Sequence, residues 1–421
     1  MIVHKQNSPM YNILVLDTGT QGYITVKSLK QAGHYVVLLC RGRHNYADDS
    51  RYLDERIMTE AEWDSREYLE EVKKIIGDKG IDVVLPMSDF ASMFLSRNKA
   101  ELQPIVHYVL PDNDVFEKGY DKNSLMALCA KNGYPHPQTI NDVTSLEGID
   151  VESLKYPLLI KPNHTCGGRG MTLARNSEEL RAKFDGVYAQ YGDCHLQEYI
   201  PQGGAQVEVQ IYINERQELV ASSVIYKYRW YPENGGSSCC ATAVRNERVV
   251  DMCYRLLKDI GWVGFADFDT IEDPRTGELL VMELNPRVPA CVKAPVVAGI
   301  DWPNIIVRAY LNQPQEPIDF KEGKLLKHLG METLWFFYSK NRFKTKPSLL
   351  KVVGRNICYQ DFNWRDPMPF IRGTWHNIKK QLNPSFRKSK SGTRVNNMKI
   401  NELNKQKGGV NSWFKIWAAP L

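Results

Sequence analysis

The chain has 421 residues, 43% of them hydrophobic, and a net charge of +5, enough for a globular protein of about three packed units at about 150 residues each. Its 9 cysteines form no CxxC pair and no Cys/His cluster of zinc-finger spacing, which excludes a structural zinc module and fits a reduced, cytoplasmic compartment. No run of about 18 apolar residues and no basic-then-apolar leader appear, so secretion and membrane spanning are not expected.

Asn12 to Asp17 reads as a buried strand, Thr18 to Gly22 as a turn, Tyr23 to Ala32 as a helix ended by Gly33, and Tyr35 to Cys40 as the next strand, which together make a βαβ unit. Helical periodicity from Glu60 to Ile76, ending near Gly77, leads into a strand from Ile81 to Leu85, so a parallel sheet up to about residue 112 is the simplest arrangement. The glycines of the first turn fall short of a dinucleotide fingerprint. Asp17 occupies the first glycine position of G-x-G-x-x-G, and Cys40-Arg41 stands where an acidic residue is expected. Arg41 would suit a 2′-phosphate, but an ordinary α/β domain explains the pattern better.

A helix is expected from Asp114 to Asn132, carrying Lys122 and ended by Gly133. Strand-like Tyr156 to Lys161 follows, then a glycine-rich turn from Cys166 to Gly170 and a helix from Ser177 to Phe184. Strands are read at His195 to Ile200, Gln206 to Ile213 and Glu218 to Tyr226, and a helix at Glu247 to Ile260. Beyond about Asn312 aromatics mix with Lys and Arg. From Lys321 to Leu421 there are 21 Lys+Arg against 5 Asp+Glu, or +16, while the remainder has 33 against 44, or −11. The two parts are expected to meet different partners. An anionic membrane surface or other anionic acceptor suits the basic region, with Trp413 to Trp417 as interfacial aromatics. Nucleic acid ranks last, because no recognisable RNA or DNA module accompanies the charge.

The densest chemistry lies in Val281-Met282-Glu283-Leu284-Asn285-Pro286-Arg287, a short hairpin after Phe265-Ala266-Asp267-Phe268-Asp269. Period-2 alternation places Glu283, Asn285 and Arg287 on one face, and turn residues from Pro274 to Gly277 allow Asp267 on the preceding strand to meet them. Two carboxylates and an amide oxygen are hard ligands that suit Mg²⁺, with Mn²⁺ as an alternative, and Mg²⁺ commonly takes its remaining ligands from water and phosphates. Lys122, Lys161 at the end of Leu158 to Pro162, and the glycines 167, 168 and 170 with Arg169 would surround a polyphosphate with positive charge and backbone N–H groups. Leu196 to Ile200 supplies apolar walls and backbone groups for a base.

Each residue also has a plainer reading. Asp267, Glu283 and Arg287 would serve as an ion-pair ladder across a hairpin, Lys122 as a solvated helix residue, and the glycines as a simple loop. His164 is assigned no role, Cys239 and Cys240 read as packing residues, and Trp230 and Tyr231 as a substrate-side loop or an ordinary turn. Asp89 reads as a helix cap or as facing an acceptor cleft. Pro286 tips the balance, because a proline interrupts a strand ladder and marks an edge or bulge.

In this order the pieces resemble the ATP-grasp superfamily, whose members include biotin carboxylase, carbamoyl phosphate synthetase and many carboxylate–amine ligases; the resemblance covers roughly residues 12 to 312. It implies that Lys122 and Lys161 bind phosphates, that Gly167, Gly168, Arg169 and Gly170 close over the triphosphate, and that Gln197, Glu198 and Ile200 contact adenine, the last two through their backbone. Glu208 is similar to a residue near the ribose. Asp267, Glu283 and Asn285 resemble the ligands of one or two Mg²⁺ ions, Asp267 standing where many relatives carry Glu. Arg287 resembles the arginine that steadies the reacting carboxylate or acyl phosphate. The segment around Asp273 to Gly277 reads as a surface insertion without functional weight.

The implied fold class is α/β and α+β: an N-terminal Rossmann-like parallel-sheet domain (1–113), a split ATP-grasp domain of two subdomains (114–312), and a basic C-terminal extension divided into an aromatic-rich region (313–383) and a tail (384–421) expected to be disordered. The implied activity is ATP- and Mg²⁺-dependent ligation of a small-molecule carboxylate to an amine. A module that senses ATP without ligating, and a carboxylase or phosphotransferase of the same fold, are the alternatives. A homodimer is the expected assembly.

Overall fold

The structure is a computed structural model that describes residues 10–41, 46–163, 170–231 and 237–382. The glycine loop at 164–169 and the tail from 383 onward, with Trp413 to Trp417, lie outside the described residues.

The first unit is β1 (Asn12–Leu16), α1 (Gly22–Gln31), β2 (Tyr35–Arg41), β3 (Glu55–Thr59), α2 (Arg66–Lys79), β4 (Val83–Pro86), α3 (Asp89–Arg97) and the short α4 (Lys99–Leu102). Its four strands are parallel in the order β3-β2-β1-β4. Ile13, Leu14, Val15 and Leu16 are wholly buried, as a parallel strand covered on both faces requires. Burying each such side chain is worth about 1.5–3 kcal/mol. α2 begins six residues later than the periodicity predicts, because the Ser65 side chain accepts from the Tyr68 N–H and fixes the start there. It runs through Gly77 and stops at Gly80, whose φ of 55° is the left-handed conformation that closes helices.

The middle of the chain forms α5 (Asn113–Tyr120), α6 (Lys122–Asn132), β5 (Thr139–Val143), β6 (Leu158–Pro162), β7 (Thr172–Ala174), α7 (Ser177–Tyr191) and β8 (Cys194–Glu198). One helix was predicted over 114–132, and the structure has two. Asp121 is extended, and its carboxylate accepts from the Ser124 N–H at 2.8 Å, so it caps a new helix whose first residue is Lys122. The strands form a separate sheet in the order β5-β8-β6-β7, pairing Lys161 with His195 and Leu159 with Gln197.

The third group is β9 (Gln206–Ile213), β10 (Leu219–Tyr231), β11 (Ser237–Val244), α8 (Glu247–Ile260), β12 (Gly264–Asp273), β13 (Glu278–Asn285), α9 (Lys293–Val297) and α10 (Trp302–Tyr310), followed by β14 (Leu325–Lys327), α11 (Leu329–Tyr338), β15 (Ile357–Tyr359) and α12 (Met368–Leu382). Seven strands form one sheet, β13-β12-β9-β10-β11-β14-β15. One face packs on α8, α5 and α6 through Val207, Val209, Ile211, Phe268, Leu284 and Trp262. β14 and β15, from the segment that composition alone sets apart, complete this same sheet. Lys327 on β14 is buried there, paired with Glu332 at 3.1 Å.

Candidate active site

The hairpin β12–β13 is antiparallel, with Asp267 opposite Asn285 and Asp269 opposite Glu283. β9 lies on the other side of β12, with Gln210 opposite Asp267 and Glu208 opposite Asp269. Because residues directly opposite in a ladder share a face, two polar rows cross the sheet: Gln210, Asp267 and Asn285, then Glu208, Asp269 and Glu283. The alternation read in the sequence is present, and it adds a carboxylate, Asp269, that the motif contained but no role was attached to.

The rows differ in exposure. Asp267 is 1% exposed and accepts from Gln210 Nε2 at 2.7 Å; Gln210 in turn accepts from Ser223, and Ser223 from the Trp302 indole. Burial, then the neighbouring Glu208 and Asp269 charges, push the Asp267 carboxyl well above its usual range. Asp269 is less enclosed, and Lys227 reaches it at 2.9 Å while also meeting Glu208 at 2.5 Å. Burial opposes the ionised form of Asp269, but Lys227 outweighs it and holds the carboxyl below the ordinary value. Burial also opposes the charge on Lys227, and the two carboxylates more than compensate, keeping its pKa raised. Glu283 is pushed up by burial, against the pull of Lys122 and with a further push from its hydrogen-bonded neighbour Asp269.

Two carboxyl groups in hydrogen-bond contact are joined by Asn285, whose Nδ2 donates toward Asp269 at 3.5 Å while its Oδ1 accepts from Arg287 at 3.4 Å. The carboxylates, with that amide oxygen once released from Arg287, make an oxygen set that a hard divalent cation fits. Among the described residues no group of three or more His, Cys, Asp or Glu is arranged to hold an ion alone. The cation would therefore complete its shell with amide, water or ligand oxygens.

Positive charge comes from two other elements. The break before α6 turns Lys122 toward the hairpin, 3.5 Å from Glu283. Lys161 on β6 donates to Gln197 Oε1 at 2.8 Å, and Gln197 Nε2 donates to Thr139, which fixes the amide between them. Burial lowers the Lys161 ammonium to about 8, Glu283 partly restoring it and Lys122 lowering it further. Gly167, Gly168 and Arg169 lie outside the described residues. Gly170 has a φ of 72°, and a Cβ there would fall 2.7 Å from the Tyr191 ring and 2.9 Å from Pro162, so both backbone and space demand glycine.

β8 ends at Glu198, leaving Tyr199 and Ile200 just beyond the strand. The Glu198 carboxylate is held by Arg275 at 2.7 Å and Lys155 at 3.3 Å. Arg275 belongs to the turn expected to have no functional weight. It also clasps Asp273, so the hairpin tip pins the strand on which Gln197 and Glu198 sit. Glu208 is buried between Lys227 and the Cys291 thiol.

Arg287 lies just past β13, 2.9 Å from Asp89, the first residue of α3. Ser88 rather than Asp89 provides the cap, accepting from Ala91 N–H, so the Asp89 carboxylate joins the first unit to the hairpin. Pro286 ends the ladder, and its carbonyl accepts from Ser92 at 2.7 Å.

Residues 120–291 match the family model of the ATP-grasp domain. The chain carries an ATP-grasp domain. Among curated proteins it is 25% identical over 217 residues to the carbamoyl phosphate synthase large chain, C-terminal section, of Methanopyrus kandleri, covering 48% of this chain and 39% of that one. It is 23% identical over 278 residues to the large chain of Neisseria meningitidis, covering 62% and 25% respectively. The chain thus spans well under half the length of these relatives. Among solved structures, the biotin carboxylase domain of Hydrogenobacter thermophilus 2-oxoglutarate carboxylase, in complex with MgADP, ADP and bicarbonate, superposes with a TM-score of 0.61 at 18% identity, over 76% of this chain and 74% of that one. N5-carboxyaminoimidazole synthetase of Staphylococcus aureus, complexed with ADP, gives 0.59 at 16%, over 75% and 80%. These structural likenesses establish the fold.

Within the ATP-grasp domain, sequence reading passed over His195. It is 1% exposed, its Nδ1 is 2.8 Å from Asn163 Oδ1, and its Nε2 has no partner among the described residues. Burial, then Lys161 and Lys122, drive its pKa down to about 3, so the ring is neutral. Only its pairing opposite Lys161 marks it, and pairing is not visible before the sheet is assembled. Cys239 and Cys240 are buried.

Proposed function

We propose that the chain is an ATP- and Mg²⁺-dependent ligase that joins a small-molecule carboxylate to an amine. The observation that carries this reading is the meeting of Glu283, Asp269 and Asn285 with Lys122, Lys161 and Arg287 at one place, contributed by four separate elements. Asp269, Glu283 and Asn285, with Asp267 behind them, would hold Mg²⁺, which supplies charge neutralisation for phosphoryl transfer when bound. Lys122, Lys161, Arg169 and the glycines 167, 168 and 170 would bind the triphosphate, Gln197, Glu198 and Ile200 the base, and Glu208 would lie toward the ribose.

In the first step a carboxylate oxygen attacks the γ-phosphorus, the bond to the β-bridging oxygen breaks, and ADP leaves with the bonding pair. The amine nitrogen then attacks the acyl carbon, the C–O bond to phosphate breaks, and inorganic phosphate departs while the nitrogen gives up a proton. Arg287 steadies negative charge on the carboxylate and on the acyl phosphate, and Lys122 and Lys161 hold the transferring group in line, since positioning and electrostatics dominate such transfers.

The test is phosphate release by the full chain with ATP, Mg²⁺ and pooled carboxylates and amines, followed by mass detection of an amide. ATP uptake without ADP formation would replace the ligase by a sensor of ATP, ADP formation without phosphate release would indicate a phosphotransferase, and phosphate release without amide a carboxylase. A homodimer is proposed as the assembly, read by light scattering.

A second reading concerns the basic end of the chain. No helix among the described residues is long and apolar enough to cross a membrane. α12 turns Met368, Ile371 and Trp375 outward at 40, 54 and 60% exposure, on the same side as Arg372 and Lys379, while Gly373 packs against Tyr46. An apolar stripe edged with cations supports peripheral contact with an anionic lipid surface.

A further inference from the structure

The turn from Thr18 to Gln21 leaves β1 at the carboxyl edge of the parallel sheet. In the order β3-β2-β1-β4 the chain changes direction between β1 and β4, and ligands of open α/β sheets lodge at such a reversal. α1 starts there with no side-chain cap and no acidic residue in its first turn, because Gln21, at the cap position, donates instead to the Met87 carbonyl at 2.6 Å. The positive end of this ten-residue helix therefore lacks a side-chain acceptor.

Thr18 stands over it. A Cβ added to Gly22, the first residue of α1, would fall 2.5 Å from the Thr18 Cβ and 3.1 Å from its hydroxyl. Thr18 is 4% exposed, and its Oγ1 has no partner among the described residues. Gln360 approaches the same turn from beyond β15. Its Nε2 donates to the carbonyls of Thr20 at 3.3 Å and Ala290 at 2.6 Å, and two acceptors on one side of the amide fix which end is oxygen. The Oε1 atom is buried without a partner among the described residues, in a residue 6% exposed. Lys293, 7% exposed, donates to the Tyr359 carbonyl next door and lies 5.6 Å from the Tyr23 ring centre. The Arg287–Asp89 pair sits at the end of β4, on the other side of the same reversal.

We propose that this edge is the recognition site for the amine substrate, and that the substrate is a free α-amino acid. The inference rests on the ligase reading above. The α1 N-terminus, the Thr18 hydroxyl and the Lys293 ammonium suit a carboxylate. The Gln360 oxygen needs an N–H donor, which an adjacent amino group supplies, and an α-amino acid carries both groups on one carbon. Gln21 at the start of α1 donates to Met87, two residues before the Asp89 that pairs with Arg287, so this edge and the group that steadies the acyl phosphate are tied through one short segment.

The test uses the full chain. Each of the common amino acids, and the matching α-carboxamide, is titrated by thermal shift and calorimetry, with and without a non-hydrolysable ATP analogue and Mg²⁺. The expected result is binding of one or a few free amino acids, with the carboxamides at least tenfold weaker. Thr18→Val, which keeps the shape and removes the hydroxyl, weakens amino-acid binding about tenfold and leaves affinity for the ATP analogue unchanged. Lys293→Met is the second variant, with the same expected pattern, should Thr18→Val fail to fold. Equal binding of acid and carboxamide, unchanged amino-acid affinity in a folded variant, or ATP-analogue binding with no amino acid bound would each overturn the proposal. Amino-acid binding by a chain that takes up no nucleotide would support this site while removing the ligase reading.

Discussion

At the scale of single residues, the site holds more negative charge than its lysines neutralise, and several consequences can be measured. Glu283→Gln removes one of the two facing carboxylates, and by comparison with the loss of one transition-state donor it lowers turnover by about 10²–10³-fold, with an unchanged circular dichroism spectrum and melting curve. Wild-type ADP release by this variant would sink the assignment. Asp269→Asn should weaken the Mg²⁺ dependence of turnover at least as strongly as Asp267→Asn, because Asp269 faces Glu283 whereas Asp267 is buried behind it; a metal titration of both variants ranks them. Lys227→Met leaves Glu208 and Asp269 enclosed without their cation. It should cost about 3–5 kcal/mol in urea denaturation, partly recovered by millimolar Mg²⁺. Lys161 gives a pH signature. Its pKa near 8 lies below the ordinary lysine value, so its charging opposes folding below about pH 8, and that penalty fades as pH rises from 8 toward the unfolded value near 10.5. A polyphosphate reverses the preference, so nucleotide binding at pH 8.5 should take up a fraction of a proton, seen as buffer-dependent calorimetric heat. At pH 6.5 the uptake should vanish, and Lys161→Met should abolish it at pH 8.5.

At the scale of elements, small local rules position these groups. Asp121 ends one helix and caps the next, and that break is what brings Lys122 to Glu283. Apolar periodicity runs across the break, so the sequence reads as a single helix, and the capping hydrogen bond decides otherwise. The turn at Asp273 to Gly277 shows the same limit. Composition marks it as surface, yet Arg275 spans to Glu198 and couples the hairpin tip to the strand that carries Gln197. Arg275→Ala should weaken nucleotide binding several-fold by calorimetry and leave thermal stability nearly unchanged, because the arginine is partly solvated and exposed pairs contribute about 0–1 kcal/mol. Equal affinity of variant and wild type would show that the clasp has no bearing on the base site.

At the scale of the whole molecule, the basic end is built into the sheet. A cut near Lys321, attractive from charge counting alone, would remove β14 and β15 and leave Arg229, paired with Glu332 at 2.6 Å, buried without its partner. A cut after Leu382 spares every described element. In sedimentation with phosphatidylcholine vesicles containing or lacking phosphatidylserine, the full chain should bind only the anionic ones, more weakly as salt rises. Trp375→Ala with Arg372→Glu should reduce that binding about tenfold if α12 is the contact. Equal sedimentation of variant and wild type would remove α12 from the interface.

The sequence by itself determined β1, β2, β4, β6, β8, β9, β10, the hairpin β12–β13 and the helices α1, α2, α7 and α8, because buried runs such as Ile13 to Leu16 and alternation such as Glu283, Asn285 and Arg287 are one-dimensional patterns that water and the peptide geometry impose locally. The short strands β3, β5, β7, β14 and β15, the strand β11 and the helices α3, α4 and α9 to α12 carry no such pattern read in the sequence. The sequence also determined the family resemblance, through the order of its short motifs. Only the tertiary structure decided which polar groups meet. Asp269 opposite Glu283, His195 opposite Lys161, Arg287 on Asp89 and Gln360 on the first turn join residues 14 to 340 positions apart. Those meetings depend on strand register and on the docking of one sheet against another, where burial and the need to satisfy each charge select partners that sequence spacing does not record.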